Sequence, residues 1–191
     1  MRLNLRWVIA ALAGVVLLGS GSPIASQVVV VGKDQVPENL SLRASTLLAQ
    51  IQREAVGLRR HADSLRMLAK NNQYSWQSHA AHLDAVKTHI NAVGARTAEL
   101  QGIQHAVPSW KRQAIAEVTS HAAQVARSTE AAISQLNEDR NSLILAEYQG
   151  HLTTIADRSA DMKEAVDKFL AYEKTQQKLH QLQRELELSG D

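Results

Sequence analysis

From residue 38 onward, apolar residues recur every three or four positions, and the recurrence resolves into heptads. Between Trp76 and Val107, one seam position holds Trp76, Leu83, Ile90 and Thr97. The other, three residues further on, holds His79, Val86, Val93 and Leu100. An apolar seam repeating about every 3.5 residues predicts a long helix packed lengthwise against other helices.

The same reading predicts three more helices. The first runs from Glu38 to Lys70, with Ala44, Ile51, Leu58 and Leu65 on one seam position and Leu48, Ala55, Ala62 and Ala69 on the other. The alanine line lets a neighbouring helix approach closely. Asn71-Asn72-Gln73 forms the turn, and Ser75 is the expected N-cap of the second helix. That helix ends before Pro108, because a proline pushes the preceding residue out of helical geometry. The third begins near Ser109, carries Ile115, Ala122, Thr129 and Leu136 beside Val118, Val125 and Ala132, and stops within Asn137–Ser142. The fourth carries Leu145, Leu152, Ser159 and Val166 beside Tyr148, Ile155, Met162 and Phe169. An alternative start for it lies at Gly150, with Thr154 and Asp157 as a capping pair. Gly57, Gly94 and Gly102 fall inside helices beside the seams, which points to close helix contact there.

Short connections make sequence neighbours antiparallel. The expected fold is all-α: a long antiparallel up-down-up-down four-helix bundle with coiled-coil-like seams, about 45–50 Å long at 1.5 Å per residue. It occupies residues 38–171. Past Ala171 no other helix is left to cover the fourth, yet its apolar pattern continues through Tyr172, Leu179, Leu182 and Leu186. The phase slips between Phe169 and Tyr172, three residues apart where the seam calls for four, and such a slip turns the stripe toward a new neighbour. Residues 172–191 therefore read as an overhanging helix, with Tyr172, Leu179, Leu182 and Leu186 binding a protein partner, a second subunit or the arm Val28–Val31 folded over them.

Ahead of the bundle, Arg2 and Arg6 precede the apolar run Trp7–Leu18, a Gly/Ser/Pro break and small residues at Ala25 and Ser26. This is the pattern of a secretory signal, residues 1–26, and predicts export to the periplasm or beyond. The run is short for a bilayer span, and membrane attachment is expected only if the segment is retained. Residues 27–37, with the β-prone run QVVVVGKDQV, read as an extended arm, since no second strand candidate pairs with it.

The signal changes the charge picture. Formal charge over the whole chain is +2, but loss of Arg2 and Arg6 takes Lys+Arg from 21 to 19, equal to the 19 Asp+Glu. With no basic stripe and aromatics at 4 %, nucleic acid is not an expected partner. The chain has no Cys. That excludes disulfides, a lipid-modified cysteine and the C-x-x-C-H attachment of haem. The Ser-Trp pair recurs at Ser75-Trp76 and Ser109-Trp110, but a shift of that length sets Leu83 over Glu117 and Ile90 over Gln124, so no repeat follows.

Histidine carries the remaining chemistry. His61, His82, His89, His121 and His151 flank the seams, and His79 lies in one. Folding at the proposed turns sets His61, His82, Glu147 and His151 at one level on three helices. Imidazoles and a carboxylate so placed are suited to zinc, nickel or copper. No strained turn exposes a nucleophile, and no cofactor motif occurs. The expected function is that of an exported, non-enzymatic scaffold or interaction module of the cell envelope without a cofactor; a metal-binding bundle is the alternative.

Overall fold

The computed structural model describes residues 38–70 and 75–189. The expected signal (1–26) and arm (27–37) and the turn Asn71-Asn72-Gln73 lie outside the described residues. The described part is all-helical and contains no strand. Its four long helices are α1 (Glu38–Lys70), α2 (Trp76–Ile103), α3 (Ser109–Glu138) and α4 (Ala146–Ser189). α1 packs on α2 and α4, and α3 packs on the same two. Side-chain pairs link them. Arg43 meets Glu99, Glu54 meets His89 and His61 meets His82 between α1 and α2. Gln52 meets Asp167 and Arg66 meets Asp157 between α1 and α4. In both sets one number rises as the other falls.

The heptad seams are the core. Every seam position named above is buried except Ala69, Trp76 and Phe169, which are half-buried, and Leu145, which is exposed. Flanking residues Leu47, Ile133, Ala156 and Ala165 are also buried. The apolar face of each helix is thus wider than a strict two-position seam, as in a globular bundle.

The ends follow local chemistry. Ser75 Oγ accepts the Ser78 N–H at 3.4 Å and caps α2. α2 stops at Ile103, ahead of Pro108 as expected. A 3-10 turn over Gln104–Ala106 tightens the chain, and Val107 is extended (φ −123°, ψ 157°) before Pro108. After α3, the Asp139 carboxylate accepts the Asn141 N–H at 2.8 Å and opens a second 3-10 turn, Arg140–Ile144. This turn buries Leu143 and leaves Leu145 49 % exposed just ahead of α4, so Leu145 does not start the seam. α4 runs unbroken through Gly150. Thr154 Oγ1 donates back to the Gly150 carbonyl at 3.0 Å, a mid-helix bond that does not cap a new start.

Of the three glycines read as close contacts, Gly57 alone has that role. A Cβ there would sit 2.5 Å from the His89 ring, whereas Gly94 and Gly102 have nothing within 4 Å of the same position.

Candidate functional site

Two regions carry chemistry. The first is a ladder between α1 and α2. His61 Nδ1 lies 3.1 Å from His82 Nδ1, so one ring donates and the other accepts. His61 also stacks on His89, with centroids 5.8 Å apart. His89 Nδ1 donates to the Glu54 carboxylate at 2.9 Å, and Arg96 completes the row on Glu54 and Gln50. Gly57 leaves the space into which the His89 ring fits.

The separation of 3.1 Å also suits two imidazole nitrogens on one ion with bonds of about 2.0–2.1 Å. The ladder thus holds two of the four sequence-predicted ligands, His61 and His82. Glu147 and His151 do not complete the set. Among the described residues no group of three or more His, Asp and Glu is placed to hold a metal ion.

Burial holds the His61 imidazole below its ordinary range, and the neighbouring His82, Arg60 and His89 act in the same direction. Folding therefore favours the neutral ring, and the unfolded chain takes up its proton first. Stability from His61 is complete above the unfolded value of about 6.5 and is lost as pH falls from there toward the lowered folded value. Thermal melting from pH 8 to pH 5 should show a larger fall in midpoint for the parent than for His61→Gln. Equal falls would mean that the ladder tolerates the charge.

The second region is the end of the molecule where α4 outruns its neighbours. Lys111, at the start of α3, is 2 % exposed. Its Nζ donates to the Ser41 carbonyl at 2.8 Å, to Ser41 Oγ at 2.9 Å and to Ser45 Oγ at 2.6 Å. It also pairs with the Glu173 carboxylate at 2.8 Å, and Ser45 donates to that carboxylate as well. This junction was not foreseen from the sequence, and it ties α1, α3 and α4 together. Beside it, Trp110 packs edge-on against Tyr172, with centroids 5.1 Å apart.

Beyond this junction cover runs out. Residues 177–188 are exposed without interruption, and Tyr172, Leu179, Leu182 and Leu186 are 44, 48, 46 and 73 % exposed. The bundle seam does continue, but through Glu173, Gln176, His180 and Gln183. The apolar stripe is turned about 100° from it, one residue's rotation. The helix is unbroken at Phe169–Tyr172, so the slip lies in the side-chain pattern and not in the backbone. Comparison with protein-family models, with curated proteins and with solved structures finds no match to this chain.

Proposed function

We propose that the chain is an exported, non-enzymatic scaffold or interaction module of the cell envelope: an antiparallel up-down-up-down four-helix bundle that presents the free end of α4 to a protein partner. The opposed numbering of the α1–α2 and α1–α4 side-chain pairs supports the antiparallel arrangement. The signal-like residues 1–26 support export. The observation that carries the interaction reading is the exposed stripe Tyr172, Leu179, Leu182 and Leu186, which leaves the packed part of α4 at the Trp110–Tyr172 contact and then runs through residues 177–188, exposed without interruption. An isolated helix of this length is marginal in water and gains stability by burying such a stripe.

A photo-crosslinking side chain substituted for Leu182 in cells making the full chain tests this reading. The expected product is a protein adduct, with none from the same group at Glu130, an exposed position on α3. No adduct from position 182 would defeat it.

A further inference from the structure

We propose that the free end of α4 pairs with the same segment of a second copy of this chain, antiparallel, as a two-stranded coiled coil. The proposal rests on the interaction reading above and names its partner. In the stripe's own heptad, Tyr172, Leu179 and Leu186 occupy a, and Thr175 and Leu182 occupy d. The flanking g positions are Lys178 and Glu185, and the e positions are Gln176 and Gln183. Charges at e and g decide orientation in coiled coils.

In a parallel pair g faces e, so Lys178 would meet Gln183 and no charge would be matched. In an antiparallel pair g faces g. Lys178 of each copy then meets Glu185 of the other, twice by symmetry, and the neutral glutamines face one another. The alternative of two like charges face to face arises in neither strand. The segment's charges are thus complementary to themselves in one direction alone.

Axial geometry agrees. Setting Leu179 opposite Leu182 of the second copy brings Lys174 level with Glu187 and Tyr172 level with residue 189. Residue 189 of one tail then reaches the other bundle's rim, where Trp110 packs against Tyr172. The first turns of α1, which run beside α4 past Glu173, lie on the seam side and leave the stripe exposed for the second copy. The contact is isologous, so it closes at two copies and does not propagate. Within one copy Glu185 accepts from Gln181 at 2.9 Å, a bond along its own helix.

Sedimentation equilibrium of the full chain, in a mild detergent that covers the apolar Trp7–Leu18 run, tests the pairing through charge reversal. The parent should dimerise. Lys178→Glu and Glu185→Lys should each weaken the dimer about tenfold or more, because each places two like-charged pairs at the interface. Mixing these two variants should restore association, since every pair across that heterodimer is again opposite, and the double variant should dimerise like the parent. Association through any other surface would not follow this pattern. A monomeric parent, or an association indifferent to both reversals, would overturn the proposal. A monomeric parent together with a Leu182 crosslink to a different protein would overturn self-pairing and leave the interaction reading standing. A monomer with no crosslink would remove both.

Discussion

Replacing Lys111 by Met should cost the fold about 3–5 kcal/mol, the usual penalty for removing one member of a buried ion pair. Methionine keeps the length of the stem and removes the charge. It leaves the Glu173 carboxylate, whose side chain is 14 % exposed, with the Ser45 hydroxyl and no cation. It also strips a donor from the Ser41 carbonyl and from two serine hydroxyls. For a domain of this size each kcal/mol lowers the melting temperature by about 2–4 °C, so calorimetry should show a drop of roughly 6–20 °C. The double variant Lys111→Met, Glu173→Leu should recover most of the loss, because two apolar side chains in place of a buried pair are often neutral or better. With the Glu173 carboxylate gone as well, the single Ser45 hydroxyl proton can go to the Ser41 carbonyl, 3.0 Å away, so that carbonyl keeps a donor. A single variant as stable as the parent would show that the ammonium is hydrated in solution.

The signal for this junction is in the heptads, one step past the last apolar layer. Counting back from Val118 puts Lys111 on the Val118–Val125–Ala132 seam of α3. Counting on from Val166 puts Glu173 on the Leu152–Ser159–Val166 seam of α4, and counting back from Leu48 puts Ser41 on the Leu48–Ala55–Ala62 seam of α1. The three polar residues form one terminal layer of the same core. They were missed because a charged residue on a seam reads as the end of the pattern, and only the fold shows that it has found its counter-charge. The tail was legible for the complementary reason. Leu179, Leu182 and Leu186 keep a heptad spacing that no predicted neighbour could cover, and they are exposed.

Helix starts were less legible than seams. Leu145 fits the periodicity, yet the Asp139 carboxylate and the 3-10 turn after it set where α4 begins, and a periodic count cannot register a turn's hydrogen bonds. The glycines show the same limit. Gly57 and Gly94 look alike in sequence, and the difference lies in whether a histidine of the facing helix reaches across. The metal set depended on rotation as well as level. Equal height on three helices does not bring Glu147 and His151 to the His61–His82 pair unless all four point to one centre, and rotation about a helix axis changes by about 100° per residue.

At the opposite end of the core the expected result concerns Tyr148. Both Tyr148 and His79 sit on d seams and are 0 % exposed, and they meet across the core from α4 to α2 with the phenol oxygen 3.0 Å from His79 Nδ1. Burial pushes the phenol well above its ordinary range, so it stays neutral and keeps its proton to donate. Tyr148→Phe removes the hydroxyl and keeps the ring against His79. It should cost about 1–3 kcal/mol, the penalty for removing the hydrogen bond at His79 Nδ1 from the core. Tyr148→Ala should cost about 3–5 kcal/mol, because it adds the lost burial of the ring and the cavity it leaves. The difference between the two, read from urea unfolding midpoints at equal slope, separates the hydrogen bond from the packing. If Tyr148→Phe were neutral while Tyr148→Ala remained costly, the pair would be held by ring packing alone. Seam histidines would then be tolerated in this core for their shape and not for their polarity.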